Sequence, residues 1–584
     1  MGEFPELKET VVWNNSPTVE ERMEFVESYF AEEVAAGRMD GPYSRREVEE
    51  ILGGPFQCSP ISIDVTYKAD GSEKLRMCNN LSKRSKYHPA TNDYIDTSKY
   101  PTCFDTAAKV ADTVSNPPFL TPSFLFVYPV VPRPSIHIFS LLPRPIYPSH
   151  PMFSSHNDPF SQVPCIPLSS LEVLPSSHIP LQIISCPQGS EAMTLDIEKF
   201  HRRTPITPAQ KCWFVAQGLP GKFYIQHCGP FGARSSESNS GQVSGCTMEI
   251  WKCEGIFPSF KWCDDLTIFR FPSQGDGSPS NPLVFPYDSR RVLEIVAPLG
   301  VPWHPLTQKG QDFANSFVYV GFSWNIHRRL VCLPEGKRVK YLDLTRSFLA
   351  AHSVTSNKCS LRTLLKLQGV FVHISFVYTL GSSYIAPLFL FSCEFEGVLS
   401  RERYPPRSVI KAVEWWRSQL EDVSIVRSLQ PRSPTLFLDI FIDASTSWGI
   451  GFLWGGKWAA WHVRDNWKGP GRDIGWLEGV AVEIVVYALE ERGYHDCSIR
   501  VYSDNDGVIG AFDKGRSRNF EVNLSIRRAA IIMASRNIVL DLEYIETSQN
   551  PADPISRGIL GREDDRLALR LQLPEELQRY FDRV

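Results

Sequence analysis

Two adjacent aspartates, Asp264 and Asp265, interrupt the apolar stretch KWCDDLTIF at residues 261–269. Burying a carboxylate carries a large desolvation cost, and two neighbouring carboxylates also repel each other. A purely structural strand would not contain such a pair. The pattern therefore indicates positive charge between the two side chains, at the bend of a β-hairpin formed by FKWCDDLTIFRF.

A third carboxylate, Asp196, ends the apolar start of MTLDIEKFHRRTPI at residues 193–206. A lone aspartate after a strand is commonly a helix cap. Three carboxylates on neighbouring strands, however, can hold two divalent metal ions, which activate a 3′-hydroxyl and stabilise the leaving phosphate oxygens. Together with Asp264 and Asp265, Asp196 predicts a two-metal site for nucleotidyl transfer.

The C-terminal part of the chain carries a second pattern. Residues 436–463, LFLDIFIDASTSWGIGFLWGGKWAAWHV, alternate apolar residues at period two across three short strands, which predicts an antiparallel meander. A helix follows at 475–493 and is expected to end at Gly493. A buried strand ending at Asp504, a further helix and a final strand complete the order βββ-α-β-α-β.

Composition bounds the class of protein. The 584 residues, 42% of them hydrophobic, allow about three or four domains. The net charge of −4 neither favours nor excludes a nucleic-acid partner, because Lys and Arg residues can gather on one face. Fourteen cysteines without C-x-x-C or zinc spacing predict reduced thiols, and residues 1–30 lack a signal-peptide core. These features favour a cytoplasmic or nuclear protein.

The segment 369–393 contains no Asp, Glu, Lys or Arg and is long enough to span a bilayer. It also contains His373, Gly381 and Pro387, and nothing else in the sequence indicates a membrane protein. We interpret it as a buried core segment and expect no membrane partner.

Residues 117–186 contain fifteen of the 45 prolines, a density at which neither helical nor strand periodicity survives. The segment is rich in Phe, Ser, Pro and Leu, which pyrimidine-rich codons encode. We interpret it as a disordered insert that is a translated intron. A genuine Pro-rich linker or partner-binding segment is the alternative.

Five motifs, in the family's order, resemble the reverse transcriptases of retrotransposons. They are the fingers segments GGPFQCSPISI and KLRMCNNLSK, LDIEKF with Asp196, CGPFGARSSESNSG, KWCDDL, and FVYVGFSWNI followed by LPEGKRVKYL. The resemblance implies that the three aspartates bind metal and that Arg76 contacts the incoming triphosphate. Phe231 and Gly232 would support template and nucleotide. His201 stands where the family carries an aromatic gate against ribonucleotides.

The motifs IDAS, SDN and NPADPISRG, with the order of elements around them, resemble retroelement ribonuclease H. The resemblance implies four ligands for two Mg²⁺ ions: Asp443, Glu478, Asp504 and Asp553. Glu483 is the alternative to Glu478. The Glu-x-x-Ala spacing of the family favours Glu478.

The basic run DKGRSRNFEVNLSIRR at 513–528 is interpreted as a phosphate track for an RNA–DNA hybrid. A solvated surface is the alternative. The residues of this track would be Lys514, Arg516, Arg518, Arg527 and Arg528.

We therefore expect an α/β (α+β) fold, with a right-hand polymerase of fingers, palm and thumb followed by a ribonuclease H-like mixed-sheet domain. The expected ranges are N-terminal region and fingers 1–116, insert 117–186, palm 187–345, thumb and connection 346–430, ribonuclease H-like domain 431–560 and C-terminal tail 561–584.

The resemblance implies an RNA-directed DNA polymerase with ribonuclease H activity, from a fungal DIRS-like or related LTR-type retrotransposon. Each active site would use two Mg²⁺ ions, with Mn²⁺ as the alternative ion. Its partners would be an RNA template, a DNA primer, an RNA–DNA hybrid and dNTPs, and the oligomeric state stays open. The alternatives are a catalytically inactive relic that binds nucleic acid, and a cellular ribonuclease H with an unrelated N-terminal half.

Overall fold

The computed structural model describes residues 2–67, 72–102, 187–273, 283–354, 357–429 and 435–584. The expected insert at 117–186 lies outside the described residues. Helices and strands are mixed along the described chain, so the α/β (α+β) class expected from the sequence is confirmed.

The N-terminal region forms three helices and five strands. They are β1 (Val11–Val12), α1 (Pro17–Glu20), α2 (Met23–Ala35), β2 (Met39–Tyr43), α3 (Arg45–Leu52), β3 (Gln57–Cys58), β4 (Ile61–Tyr67) and β5 (Glu73–Asn79). Local sequence explains α3: Ser44 and Glu47 form a capping box at its start, and Gly53 ends it at φ 71°. Strands β4 and β5 pair antiparallel, with Arg76 opposite Asp64.

The next part of the chain contributes to two sheets. Its elements are β6 (Glu191–Asp196), β7 (Val215–Gln217), β8 (Phe223–Gln226), α4 (Ser236–Cys253), β9 (Ser259–Trp262), β10 (Asp265–Arg270), α5 (Ser289–Val296) and β11 (Gln311–Ala314). One sheet has the order β11-β6-β10-β9, and the other has the order β1-β3-β7-β8-β2. Residues 215–226, which lie within the expected palm range 187–345, pair with the N-terminal strands, and that range stays a prediction. Sequence order does not determine such non-local pairing.

The segment that follows is a small sheet and a group of helices. Its elements are β12 (Ser316–Tyr319), β13 (Phe322–Asn325), β14 (Leu330–Cys332), α6 (Glu335–Leu349), β15 (Cys359–Ser360), α7 (Leu361–Ile374), α8 (Ser382–Cys393), β16 (Glu402–Arg403), α9 (Arg407–Glu421) and β17 (Arg427–Ser428). The sheet order is β12-β13-β14-β17. Phe371, Ile385 and Leu388 are fully buried in the core shared by these elements, which confirms the buried-core interpretation of 369–393. Among the described helices, none is both long and apolar enough to cross a membrane.

The C-terminal region is built on a six-stranded mixed sheet. Its elements are β18 (Thr435–Ala444), β19 (Gly449–Trp454), β20 (Lys457–Val463), α10 (Ile474–Glu491), β21 (Cys497–Ser503), α11 (Asp506–Asp513), α12 (Phe520–Arg536), β22 (Ile538–Tyr544), α13 (Asp553–Ser556), α14 (Glu575–Gln578) and β23 (Phe581–Arg583). The sheet order is β22-β21-β18-β19-β20-β23. The predicted order of elements is present with one additional helix, α11. Gly493, at φ 75°, follows α10 as expected.

The expected tail at 561–584 is instead part of this domain. Strand β23 pairs antiparallel with β20, which places Phe581 opposite Val463. Leu573, Leu577 and Phe581 are buried in the domain core. The apolar side chains of the segment explain the correction, because a solvated tail would leave them in water.

Two candidate metal centres

The three palm aspartates lie at one end of the β11-β6-β10-β9 sheet. Strands β6 and β10 are antiparallel neighbours, and their register places Asp265 directly opposite Asp196. Asp264 lies in the turn between β9 and β10, where Trp262 pairs with Asp265 and Cys263 takes the left-handed φ of 53°. The hairpin predicted from KWCDDL is therefore present, and its bend carries the aspartates.

Electrostatics at this end of the sheet is unfavourable for ionised carboxylates. Burial, together with the charges of Asp264 and Asp196, raises the pKa of Asp265 to about 7. Burial and the charge of Asp196 also raise the pKa of Asp264. A cation placed among these groups would favour their ionised forms.

Two lysines face the palm aspartates. Lys309 Nζ lies 3.1 Å from Asp196 Oδ1, and His304 Nε2 lies 3.3 Å from the same oxygen. Lys309 and Lys337 both line a cavity of about 480 Å³ that also reaches Asp196 and Asp265. Burial lowers the pKa of Lys337, whereas the charge of Asp265 acts in the opposite direction. Neither lysine was singled out from the sequence, since both lie outside the aspartate motifs.

The position interpreted as a gate is held by a neighbouring carboxylate. His201 Nε2 lies 2.8 Å from Glu237 Oε2, in the first turn of α4. The ring of Phe231 meets the His201 ring edge-on, with 5.7 Å between centroids. Gly232 adopts φ 116°, and a side-chain carbon there would lie 2.2 Å from the Asn79 carbonyl oxygen. The Phe231–Gly232 turn thus packs between His201 and the end of β5.

A buried ion pair that was not predicted from the sequence joins α2 to the segment after β6. Arg202 Nε donates to Glu33 Oε2 at 2.8 Å, and Arg202 Nη1 donates to Gln226 Oε1 at 2.9 Å. Arg38 Nη2 donates to the other Glu33 oxygen at 2.8 Å. Because Arg202 directly follows His201, this pair fixes the backbone at the gate position. The exposed Arg76, by contrast, lies on the outer β4–β5 pair.

The second centre gathers three carboxylates from separate elements of the C-terminal sheet. Asp443 lies near the end of β18, Glu478 in the first turns of α10, and Asp504 directly after β21. Each offers one oxygen, and these oxygens lie within 4.8 Å of one another. Of the Asp, Glu, His and Cys groups in the described chain, only this trio meets that distance. The palm aspartates are less tightly gathered.

Glu478 is the most constrained of the three. The Ala444 backbone N–H donates to its Oε1 at 3.2 Å, whereas its Oε2 is buried without a hydrogen-bond partner. Burial raises the pKa of Glu478 to about 9, and the charges of Asp443 and Asp504 contribute. An unpartnered, buried carboxylate oxygen beside two further carboxylates is a site for a cation.

Asp553 and Glu483 are placed outside this trio. Asp553 forms an ion pair with Arg557, 2.7 Å from Nη2 to Oδ1, at the edge of the cluster. Its charge still raises the pKa of Asp443, after burial and the charge of Asp504. Glu483 is fully buried one and a half turns further along α10, where Arg528 donates to both of its oxygens. Glu478, not Glu483, therefore faces Asp443 and Asp504.

No protein-family model matches the chain, and no curated protein matches it. Solved structures of foamy viral protease-reverse transcriptases are similar to it at low identity. One, designated dRH and in complex with double-stranded DNA, has a TM-score of 0.39 at 14% identity, covering 94% of this chain and 73% of that one. A second, in complex with an RNA/DNA hybrid, has a TM-score of 0.42 at 13% identity, covering 92% of this chain and 55% of that one. A third, in complex with double-stranded DNA, has a TM-score of 0.40 at 13% identity, covering 94% and 86%.

The basic run near the second centre divides into two groups. Lys514, Arg516 and Arg518 line a cavity of about 660 Å³, and Asp506, two residues after Asp504, also lines it. The Arg516 guanidinium lies 4.9 Å from the centroid of the Phe389 ring on α8. The first group of basic residues is therefore open to a cavity.

Arg527 and Arg528 are corrections to the predicted phosphate track. The Arg527 guanidinium lies 3.9 Å from the centroid of the Tyr384 ring, and its Nη2 donates to the Ser383 carbonyl oxygen at 2.9 Å. Arg528 pairs with the buried Glu483. These two arginines are used in packing, because the α12 face that carries them is covered by α8 and α10.

Proposed function

We propose that the chain is a retrotransposon RNA-directed DNA polymerase with ribonuclease H activity. The observation that carries the proposal is the trio of buried Asp443, buried Glu478 and half-buried Asp504, in which one Glu478 oxygen has no partner. Asp196, Asp264 and Asp265, at one end of a different sheet, add a separate acidic centre. Two acidic centres fit one protein that both joins and cleaves phosphodiester bonds.

The residues at both centres suit Mg²⁺, a hard cation that takes oxygen ligands. Asp443, Glu478 and Asp504 would hold it at the nuclease centre, with Asp553 at the edge. Asp196, Asp264 and Asp265 would hold it in the palm. When bound in pairs, such ions activate the attacking oxygen and stabilise the leaving oxygen of an in-line displacement.

The chain's own groups orient the nuclease ligands. The Ala444 N–H donates to Oε1 of Glu478, and Oε2 of Glu478 is buried without a hydrogen-bond partner. The Ser556 hydroxyl donates to Asp443, and the Asn550 side chain donates to the Ile442 carbonyl oxygen at 2.9 Å. The loop and helix that carry Asp553 are thereby bonded to the strand that carries Asp443, which keeps all four carboxylates at one end of the sheet.

In the palm, the remaining groups would shape the nucleotide site. His201, with Glu237 holding its ring, would contact the sugar of the incoming dNTP above Phe231 and Gly232. Arg76 would reach the triphosphate from the β4–β5 pair. These roles are the ones that the motif resemblance implies for these four residues.

The hybrid would approach the nuclease trio along the cavity beside α11. Lys514 and Arg516 would neutralise phosphates there, and binding of this kind weakens steeply with salt. The partners of the protein would thus be an RNA template, a DNA primer, their hybrid and dNTPs.

The test measures both activities on the full chain with Mg²⁺: primer extension on an RNA template and cleavage of the RNA strand of a hybrid. We expect Asp504→Asn to abolish cleavage and spare extension, and Asp265→Asn to do the reverse. Asp564→Asn, which changes an exposed carboxylate with 85% of its side chain in solvent, is the control and should alter neither.

If Asp504→Asn abolishes both activities, the proposal that extension and cleavage use two separate centres is wrong. A chain that binds hybrid tightly but performs neither reaction would be an inactive relic, and the proposal would be wrong.

A further inference from the structure

Lys309 contacts the carboxylate of Asp196, one of the three proposed metal ligands of the palm centre. Its Nζ lies 3.1 Å from Asp196 Oδ1 and 3.3 Å from Asp196 Oδ2, so one ammonium group contacts both oxygens. The same nitrogen lies 3.1 Å from His304 Nε2. Lys309 is thus bonded to the very atoms through which Asp196 would bind a divalent cation.

The backbone around Lys309 is fixed by its contacts with β6. The residue after it, Gly310, adopts φ 87°, and a side-chain carbon there would lie 2.6 Å from the Thr194 carbonyl oxygen. Gln311 pairs with Thr194 in the sheet, and the Lys309 N–H donates to the Pro305 carbonyl oxygen at 3.0 Å. The short tether and the close approach hold the ammonium group beside Asp196.

His304 reinforces this placement. Its backbone N–H donates to the Asp196 carbonyl oxygen at 2.9 Å, and its Nε2 lies 3.3 Å from Asp196 Oδ1. The segment from His304 to Lys309 therefore wraps the end of β6 and presents two nitrogen groups to one carboxylate. Lys337 lines the same cavity but acts on Asp265 through space.

We propose that Lys309 competes with the divalent metal ion for the Asp196 oxygens and thereby sets the metal affinity of the polymerase centre. The inference rests on the proposed function of that centre. Lys309 is a positioning residue here, since it acts through Asp196. A metal ion that takes an Asp196 oxygen must first weaken the bond of Lys309 to it.

The experiment measures Mn²⁺ binding to the full chain by the loss of the free-ion EPR signal. All variants carry Asp443→Asn, which removes a ligand of the nuclease centre. We expect Lys309→Met to tighten Mn²⁺ binding in the palm by about two- to fivefold, the value of a half-exposed ion pair. Lys309→Arg keeps the charge and should leave the affinity near that of the parent.

Lys337→Met is the matched control, because it removes a positive charge from the same cavity without touching Asp196. We expect it to tighten Mn²⁺ binding by less than Lys309→Met. If both variants tighten Mn²⁺ binding equally, the effect comes from the general loss of positive charge in the cavity. That result would refute the proposal that Lys309 competes with the metal ion for Asp196. A misfolded variant would lose affinity, so structural damage does not imitate the expected gain.

Asp265→Asn separates the two levels of the proposal. If it abolishes the palm-bound Mn²⁺ while Lys309→Met changes nothing, only the role of Lys309 is wrong. If Asp265→Asn leaves Mn²⁺ binding unchanged, the palm centre itself is refuted, and the competition with it. Should Lys309→Met fail to fold, Lys309→Gln provides the same test with a polar neutral side chain.

Discussion

The buried ion pair between Glu33 and Arg202 should contribute to the stability of the folded protein, by an amount that follows from the pKa of Glu33. Burial opposes ionisation of Glu33, but hydrogen bonds and charges of Arg38 and Arg202 outweigh it and lower the pKa to about 2. The usual value is 4.5. Since one pKa unit corresponds to about 1.4 kcal/mol, ionised Glu33 contributes about 3 kcal/mol to stability at neutral pH.

The same magnitude follows from a second argument. The Glu33 side chain is fully buried, and that of Arg202 is only 7% exposed. Removing one partner of a buried ion pair costs about 3–5 kcal/mol, because the other charge stays buried without compensation. Glu33→Gln should therefore destabilise the joint between α2 and the segment after β6 by about 3 kcal/mol.

The pH dependence has a definite sign. The folded-state pKa is below the unfolded value, so the contribution is fully present above pH 4.5 and is lost as the pH falls toward 2. Hydrogen exchange of the full chain reports it locally, with peptides from α2 and from residues 200–203 compared with α10 as an internal reference. We expect Glu33→Gln to accelerate exchange in the first group only, and primer extension to fall because His201 is adjacent to Arg202.

Glu32→Gln is the matched control for this prediction. Glu32 is the neighbouring residue, 64% of its side chain is exposed, and its ion pair with Lys199 is long, at 3.8 Å. Its replacement should change local stability by less than about 0.5 kcal/mol. Equal effects of the two substitutions, or acceleration of exchange in α10 by Glu33→Gln, would refute the reasoning.

Two further predictions concern the C-terminal segment and the Pro-rich segment 117–186. A chain ending at residue 566 lacks the buried side chains of Leu573, Leu577 and Phe581. It should therefore lose hybrid cleavage and the cooperative thermal transition of the C-terminal domain, while primer extension is kept. Retained cleavage would contradict the placement of β23. Sequencing of the transcript should show that codons 117–186 are spliced out of the major form, and removal of these residues should raise primer extension; an unbroken major transcript would support a genuine linker instead.

The C-terminal domain was the most predictable part of the fold. Period-two alternation over 436–463, the stop at Gly493 and the SDN strand end are local signals, and each element formed where its signal lay. Local signals also placed Asp443, Glu478 and Asp504 on the correct elements. The return of residues 561–584 to β20 was missed, because a charged, leucine-containing segment does not specify which sheet edge it meets.

Charged residues were harder to interpret than apolar ones. Glu32 and Glu33 are adjacent in an acidic helix, and only the three-dimensional position of Arg202 determines which of them is buried. Arg527 and Arg528 belong to a basic run that has the composition of a phosphate-binding surface, yet both are held by other side chains. Sequence records the type of a charge and its spacing, but the burial that decides its role comes from non-local packing.

The two acidic centres differ in the cations that the chain itself supplies. In the palm, Lys309 is bonded to Asp196 and Lys337 acts on Asp265, so part of the carboxylate charge is already balanced. At the trio of Asp443, Glu478 and Asp504, Arg557 forms an ion pair with the neighbouring Asp553, whereas burial and two like charges raise the pKa of Glu478 to about 9. Burial and the two like charges disfavour the ionised form of Glu478, and a cation bound beside it would favour that form. The two acidic clusters thus differ in how much positive charge neighbouring side chains supply, with Lys309 beside Asp196 in the first and Arg557 beside Asp553 in the second.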